Sequence, residues 1–274
     1  MNFSDKEKPI GVFDSGIGGL TVVKRLASTL PSEDIVYFGD TARVPYGSKS
    51  NTTVIEYSFQ DTKFLLSKSV KAVVVACNTA SSIAIEELKK NFDIPIIGMI
   101  NPGAKLAINS TKNGKIGVIG TRVTISNKAY SNEIRKIDSS MVVYEKACPL
   151  FVPLAEEGWL NHRATYEIAE EYLQELRDLK VDTLVLGCTH YPILSEVIQK
   201  VIGDNVTLID SGVASAGIIK EELDRTNLYT NRNTNGNHEF YVSDIPVKFK
   251  QVAELFLGKP VTEVHKVDLE TLTV

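Results

Sequence analysis

The sequence predicts an α/β protein with two similar domains, each a mostly parallel sheet flanked by helices, related by a pseudo-two-fold axis. Three observations carry this prediction. Short apolar runs alternate with helical segments along the whole chain. Pieces of the first half recur in the second half. Two apolar runs also end at a cysteine, in VVVACNTAS and LVLGCTHYP. Because open α/β sheets bind ligands beyond the carboxyl ends of their strands, we expect the active site in the cleft between the two domains.

Runs rich in Val and Ile predict the strands, which we place at 10–14, 35–39, 72–76, 95–99, 116–120, 141–145, 183–186 and 206–210, with short strands near 240 and 264. Helical spacing of apolar residues predicts helices at 20–30, 53–67, 81–91, 125–137, 164–179 and 193–202, one ending at 223, and one at 247–257. Strands that alternate with helices in this way form parallel sheets with helices on both faces.

Three landmarks recur in the same order and indicate a duplication. IGVFDSG from Ile10 resembles IGVIGTR from Ile116, VYFGDTARVP resembles VYEKACPLFVP, and the two cysteine segments resemble each other. Each match alone could arise by chance among β-rich strings, but their common order favours two related halves. The tail after Asp210 has no counterpart before Ile10. We therefore expect one discontinuous domain at 1–100 plus 210–274 and a second at 101–209.

Composition excludes several classes of protein. The 274 residues carry a formal charge of −4 without a basic patch, which argues against nucleic-acid binding. No apolar run approaches the ~20 residues of a membrane span, and MNFSDKEKPIGV lacks the apolar region of a signal peptide. Three cysteines are too few and too odd in number for a disulfide framework, so we expect a cytoplasmic protein.

Cys77 and Cys188 are the first candidates for chemistry. Each is expected at the end of a strand and just before a helix, where the helix dipole lowers the pKa of a thiol. A lone buried cysteine is usually inert, but the equivalent positions and His190 beside Cys188 favour a function. Cys148 ends no clear strand and is interpreted as structural. The spacing of cysteines and histidines does not match a usual metal-binding motif. A hydrolase with a Cys–His pair would use only one of the two cysteines. Dithiol redox chemistry would require the two sulfurs to be close enough to bond, which the sequence does not reveal.

Two glycine-containing loops follow the first two strands. DSGIGG, from Asp14, departs from the dinucleotide fingerprint because its third glycine position holds Thr21. Asp40 could still be the acidic residue expected at the end of the second strand, so nucleotide binding stays an alternative. Asp14 either caps the turn or, as we favour, steers a substrate ammonium or a neighbouring thiol. DTARVPYG, with Tyr46 and Gly47, is either a surface loop or a wall of the crevice whose amides and hydroxyl contact a carboxylate.

With DSGIGG, DTARVPYG, ACNTAS and GCTHYP in this order and spacing, the chain resembles the glutamate racemases of the aspartate/glutamate racemase superfamily over nearly its whole length. The resemblance implies a cofactor-independent isomerase that interconverts L- and D-glutamate and supplies D-glutamate for peptidoglycan. No lysine for a pyridoxal phosphate Schiff base occurs in the four motifs, which fits that expectation. The resemblance also implies a homodimer, and no metal is expected.

The resemblance implies residue roles as well. The acid/base residues would be Cys77, acting on the D-isomer, and Cys188, acting on the L-isomer. Asp14 would assist Cys77, and His190 would assist Cys188. Glu156, in VPLAEEGW, resembles a further acidic residue of the family, with Glu157 adjacent to it. The expected substrate-binding residues are Asp14, Ser15, Tyr46, Gly47, Asn78, Thr79, Thr189 and His190.

Rival functions remain open at the level of sequence. A racemase for another acidic amino acid, such as aspartate, is the nearest alternative. A one-thiol decarboxylase or isomerase of the same superfamily would leave the second cysteine motif unexplained. A ligand-binding module with two α/β lobes would have no catalysis at all.

Overall fold

A computed structural model describes residues 3–269 and shows two parallel β-sheets. The first sheet has six strands in the order β10-β9-β2-β1-β3-β4, and the second has four in the order β6-β5-β7-β8. The strands are β1 (Ile10–Asp14), β2 (Ile35–Gly39), β3 (Ala72–Val75), β4 (Ile96–Ile97), β5 (Lys115–Gly120), β6 (Val142–Ala147), β7 (Thr183–Gly187), β8 (Thr207–Asp210), β9 (His238–Val242) and β10 (His265–Lys266).

The two sheets share one topology. In each, the first strand of the unit lies between the second and the third, and the fourth follows the third. Every neighbouring pair is parallel. The predicted pair of similar α/β units is therefore confirmed, while the division at 101 and 210 stays a prediction.

The central strands are buried because helices cover both faces of each sheet. All residues of β1, β3 and β7 are buried, and their sequences IGVFD, AVVV and TLVLG are nearly continuous in apolar residues. β6 lies at the edge of the second sheet and is only partly buried. Packing on both faces therefore fixes the positions of the carboxyl ends of the central strands.

Helices connect these strands. They are α1 (Phe3–Lys6), α2 (Leu20–Thr29), α3 (Asn51–Ser67), α4 (Asn78–Ser81), α5 (Ile85–Asn91), α6 (Ile100–Ser110), α7 (Arg122–Ser126), α8 (Ala129–Ile137), α9 (Phe151–Glu156), α10 (Arg163–Asp178), α11 (Ser195–Ile202), α12 (Ser211–Arg225) and α13 (Pro246–Leu257). Short 3₁₀ turns lie at Tyr46–Ser48 and Tyr191–Leu194. Among residues 3–269, no helix is long and apolar enough to cross a membrane.

The short helices α1, α4 and α9 were not predicted from the sequence, and two further helices differ from the prediction. The single helix expected at 125–137 is divided into α7 and α8, because Lys128 has a left-handed backbone with φ of 51°. The sequence prediction missed α6, whose Pro102 and Gly103 resemble turn signals. Proline is tolerated there because it lies in the first turn of the helix, where its missing N–H is not needed.

The segment after α12 returns to the first sheet. β9 pairs with β2 and β10 pairs with β9, both in parallel register. α12 packs against α2 of the first unit and α6 between the units, and α13 packs against α2. One apolar core, which includes Tyr37, Cys188 and Phe256, runs through both units. The two sheets are therefore joined by packed helices.

A buried ion pair closes the amino-terminal side of the first sheet. Lys71 bonds to Glu33, with side chains 1% and 0% exposed, and Lys71 Nζ donates to the carbonyl oxygen of Lys6 at 2.6 Å. The other Glu33 oxygen accepts from the backbone N–H of Thr230 at 2.8 Å. The pair thereby ties the start of β3 to the N-terminal segment and to the loop before β9.

We expect Lys71→Met to lower the free energy of unfolding by about 3 to 5 kcal/mol, because it leaves the Glu33 carboxylate buried without its cation. Urea denaturation followed by circular dichroism measures this change. Lys200→Met is the control, since the Lys200–Glu196 pair is exposed and such pairs contribute little. Equal stability of the two variants would contradict the structural role of the Lys71–Glu33 pair.

Candidate active site

The two cysteines of the conspicuous motifs occupy equivalent points of the two sheets. Cys77 follows β3 and caps the amino end of α4. Cys188 follows β7 and precedes the turn at Tyr191. β3 and β7 are the third strands of their units, so the duplication accounts for both positions.

Asp14 is the last residue of β1, and its side chain is fully buried. Its Oδ2 accepts a hydrogen bond from the Gly16 N–H at 3.1 Å. The Tyr37 hydroxyl donates to the Gly16 carbonyl oxygen at 2.8 Å, which adds a second hydrogen bond to the same turn. Burial raises the pKa of the Asp14 carboxyl, and the charge of His190 and the N–H groups of the turn oppose this effect.

Cys77 lies next to this turn. Its thiol is 3.6 Å from the Ser15 hydroxyl, to which it donates, and its sulfur accepts from the Ala80 N–H at 3.5 Å. Burial, followed by the charge of Asp14, raises the pKa of Cys77 to about 12. These surroundings therefore favour the thiol form of Cys77.

Cys188 has a different partner. The His190 Nδ1 lies 3.8 Å from Cys188 Sγ, and the His190 Nε2 lies 3.0 Å from Glu156 Oε1. Burial alone would lower the pKa of His190, but the hydrogen bonds to Cys188 and Glu156 outweigh it and raise that pKa to about 10. The imidazole therefore carries a proton at neutral pH. Phe256 of α13 packs edge-on against the ring, with centroids 5.4 Å apart.

The loops of the two units meet at this point. The Thr189 hydroxyl donates to Asp14 Oδ1 at 3.3 Å, and the Thr21 hydroxyl donates to the Thr189 carbonyl oxygen at 2.9 Å. The charge of Cys188 also contributes to the raised pKa of Cys77. The structure thus brings Asp14, Cys77, Cys188 and His190 into one site between the units.

Asn78 and Thr79 extend the site along α4. The Tyr130 hydroxyl donates to Asn78 Oδ1 at 2.7 Å, and Asn78 Nδ2 donates to the Ser211 hydroxyl at 3.3 Å. The Thr79 hydroxyl lies 2.9 Å from that of Thr121. Asn78 and Thr79 therefore contact polar side chains of the second unit, Tyr130 and Thr121, and Asn78 also contacts Ser211 of α12.

Gly47 and Tyr46, the two candidates of the DTARVPYG loop, have different surroundings in the structure. A Cβ at Gly47 would lie 2.7 Å from Thr121 Cβ, so this position accepts only glycine without a shift of the loop. The Tyr46 side chain is fully buried, and its hydroxyl contacts Asp40 and Asp61. Asp40 and Asp61 already engage this hydroxyl, so the expectation that it contacts a substrate carboxylate is not supported by the geometry.

Thr121 was absent from the sequence candidates, although a signal for it was present. Ile10 aligns with Ile116 in the repeat, so Thr121 is the counterpart of Ser15. Its hydroxyl contacts Thr79 and caps α7. Of the two adjacent acids, Glu156 contacts His190 while Glu157 is exposed, a difference that the sequence left open.

One sequence interpretation needs correction. Cys148 was expected to end no strand, but it directly follows β6. It is fully buried, and burial raises the pKa of its thiol. The strand was missed at this end because β6 is an edge strand whose residues YEKA are polar or small. Within residues 3–269, no cluster of three or more His, Cys, Asp or Glu residues suits a metal ion.

Comparisons with known proteins agree with this geometry. A model of the Asp/Glu/Hydantoin racemase family matches residues 10–218. The chain belongs to this family. A glutamate racemase from Geobacter metallireducens is 49% identical over 263 residues, which cover 96% of this chain and 97% of the relative. The likeness to glutamate racemases, which are isomerases, is therefore confirmed.

Solved structures of racemases of this family extend the likeness to the fold. The glutamate racemase of Francisella tularensis in complex with D-glutamate superposes with a TM-score of 0.91 at 42% identity, covering 97% of this chain and 99% of that one. A glutamate racemase isoform from Bacillus anthracis gives a TM-score of 0.93 at 39% identity, covering 96% and 98%. The two-unit α/β architecture is thus common to all three.

Gly18→Ala is expected to lower kcat/KM by about 100-fold, because misplacing a catalytic group by about 1 Å has an effect of that size. The added Cβ would lie 2.5 Å from His190 Nδ1 and would also collide with the Thr189 hydroxyl. Steady-state kinetics on glutamate measure the change. The control is Gly217→Ala on α12, where no atom lies within 4 Å of the added carbon. An unaltered kcat/KM in Gly18→Ala would contradict the close contact between the units.

Glu156→Gln is expected to lower the pKa of His190 from about 10, since it removes one of the groups that raise it. An NMR titration of ¹⁵N-labelled histidine rings measures this pKa directly. Glu157→Gln is the matched control, because the neighbouring carboxylate is exposed. A His190 pKa that stays the same in Glu156→Gln, or falls equally in both variants, would show that Glu156 does not tune His190.

Proposed function

We propose that the protein interconverts L- and D-glutamate without a cofactor, using Cys77 and Cys188 as two acid/base groups. One observation carries the proposal: two buried thiols lie at equivalent strand ends of two related units, and the Asp14–Ser15 turn contacts both Cys77 and Thr189, the residue after Cys188. Racemisation requires a proton to leave one face of Cα and a proton to arrive on the other. Two thiols on opposite sides perform this without turning the substrate.

In the L-to-D direction, the Cys188 thiolate takes the α-proton and the Cys77 thiol gives its proton to the opposite face. The electron pair of the broken C–H bond passes through a carbanion-like state to the new C–H bond. Each cysteine ends in the form that the other had, so the reverse direction starts from a Cys77 thiolate. Mass and charge therefore balance within the substrate and the two thiols.

The different partners of the thiols support different roles. His190 Nδ1 lies 3.8 Å from Cys188 Sγ, so the imidazole is placed to exchange a proton with that thiol. Glu156 holds the imidazolium. Cys77 faces the Asp14 carboxylate and is held as a thiol, which suits it to donate to the L-derived carbanion. Asp14 then assists the return of the proton in the reverse direction.

Glutamate would be held by small donors at helix ends. Hydroxyl, amide and backbone groups at such positions bind carboxylates. We assign this role to the side chains of Ser15, Asn78, Thr79 and Thr189 and to the backbone of Tyr46 and Gly47. Asp14 and His190 would complete the set around the substrate ammonium and carboxylate. Cys77 and Cys188 are only 5% and 6% exposed, so entry of the substrate requires a local opening of the site.

The relatives support glutamate as the substrate. The Francisella tularensis structure contains D-glutamate, and the Escherichia coli glutamate racemase, at 26% identity, was solved with L-glutamate and an activator. The proposal extends to a cytoplasmic homodimer that provides D-glutamate for peptidoglycan, as the resemblance implies.

Cys77→Ser and Cys188→Ser are each expected to lower racemisation of glutamate at least about 100-fold, the usual contribution of a general acid or base. Circular dichroism of the amino acid follows racemisation, and NMR in D₂O follows exchange of the Cα proton. Cys148→Ser provides the matched control, since Cys148 is equally buried but lies outside the proposed set.

Full racemisation by either Cys77→Ser or Cys188→Ser would refute the two-thiol mechanism. A wild-type protein that exchanges no Cα proton of glutamate in D₂O would refute racemisation of this substrate altogether. Parallel measurements with aspartate identify the preferred amino acid, and a higher kcat/KM for aspartate would overturn the assignment to glutamate.

A further inference from the structure

A buried polar cluster lies behind the DTARVPYG loop and is not part of the proposed chemistry. We call Asp40, Arg43, Tyr46 and Asp61 the Tyr46 cluster. Asp40, Tyr46 and Asp61 are fully buried, and the Arg43 side chain is 19% exposed. The cluster joins the loop after β2 to the middle of α3. Burying two carboxylates costs free energy unless nearby cations or hydrogen-bond donors offset it. The neighbouring groups therefore decide which of the two carboxyl groups is ionised.

The hydroxyl of Tyr46 has one proton but two carboxylate neighbours. It contacts Asp40 Oδ2, and it lies 2.8 Å from Asp61 Oδ2. A phenol donates one hydrogen bond, so the second carboxyl group must donate to the phenol oxygen if both contacts are hydrogen bonds. This requires one carboxyl group to be protonated.

The single cation of the cluster leads to the same conclusion. Arg43 Nε lies 2.6 Å from Asp40 Oδ2, and Arg43 Nη2 lies 3.0 Å from Asp61 Oδ1. The guanidinium also lies 4.0 Å over the ring of Tyr57. One positive charge balances one carboxylate. Burying a second carboxylate without a cation would cost more free energy of desolvation than burying a neutral carboxyl group, so the other group is neutral.

Asp61 is the group that keeps the proton. Burial and the charge of Asp40 raise the pKa of Asp61 well above its usual range. Asp40 has an additional donor, the Ser243 hydroxyl, at 2.9 Å from its Oδ1. The hydrogen bonds then form a directed chain in which Asp61 donates to Tyr46 and Tyr46 donates to Asp40. Every polar atom named in the chain has a partner.

The cluster is connected to the active site through the backbone. Tyr46 begins the short turn Tyr46–Ser48, and Gly47 packs against Thr121 of the second unit. The Asp40 N–H donates to the Asp14 carbonyl oxygen at 2.9 Å. A change in the cluster would therefore move the Tyr46 and Gly47 backbone relative to the site.

We propose that Asp61 is a neutral positioning residue, which through Tyr46 holds the Tyr46–Gly47 backbone in place to bind a carboxylate of the substrate. The inference rests on the proposed function, since it assigns that backbone to substrate binding. Asp61 touches neither thiol in the structure and acts through Tyr46. Its loss should therefore raise KM more than it lowers kcat.

Isosteric substitution of the two carboxyl groups tests the proposal. Asp61→Asn keeps a neutral side chain that donates to Tyr46 and accepts from Arg43, so KM and kcat for glutamate should stay within about twofold of wild type. Asp40→Asn removes the anion that balances Arg43, and KM should rise by about tenfold, with kcat changed by less than about threefold. Asp61→Leu, which cannot bond to Tyr46, should resemble Asp40→Asn.

A spectroscopic measurement makes the test independent of activity. The infrared difference spectrum between wild type and Asp61→Asn at neutral pH should contain the C=O stretch of a protonated carboxylic acid. Thermal unfolding of each variant shows which proteins are folded before kinetics are compared. Should Asp40→Asn or Asp61→Leu fail to fold, the infrared spectrum and the kinetics of Asp61→Asn decide the question.

The proposal is overturned if the carboxylic acid band is absent or if KM in Asp61→Asn rises as in Asp61→Leu. It is also overturned if Asp61→Leu and Asp40→Asn bind glutamate like wild type. A wild-type protein that shows the band but does not racemise glutamate would instead refute the proposed function. The two failures are therefore distinguishable.

Discussion

The hydrogen bond from Thr189 to Asp14 is the contact on which the site depends. Asp14 ends the first strand of one unit, and Thr189 follows the third strand of the other. The contact forms only because Gly18 has no side chain where Thr189 and His190 approach the loop. Without this approach, Cys77 and Cys188 would be two buried thiols in two separate units. With it, they belong to one site.

The duplicated topology places Cys77 and Cys188 at equivalent positions, but the residues around each thiol differ. Cys77 lies beside a buried carboxylate, which raises its pKa, whereas Cys188 lies beside a protonated histidine. The proposed mechanism starts each turnover with one thiol and one thiolate, so it requires two cysteines with unlike neighbours. The repeat places both cysteines, but it does not contain this difference between their neighbours.

The second strands of the two units show how far the copies have diverged. Asp40 follows β2 and belongs to the Tyr46 cluster, while its counterpart Cys148 follows β6 in an apolar setting. In the first unit, a buried polar network lies under the loop that follows this strand. We infer that this network is needed where the loop packs on the opposite unit through Gly47. The same strand end therefore has different chemistry in each copy.

Much of the fold was determined by the sequence alone, because the apolar runs, their spacing and the repeat are local patterns. These patterns placed Cys77 and Cys188 at strand ends and predicted two similar parallel sheets. The tertiary structure decided the pairing of Glu156 with His190, the approach of Thr121 to Gly47 and the direction of the Tyr46 hydroxyl. Each of these depends on contacts between residues that are distant in the chain. Local propensity contains no information about such contacts. Packing within one unit sets the Glu156–His190 and Tyr46–Asp61 contacts, and packing between the units sets the approach of Thr121 to Gly47.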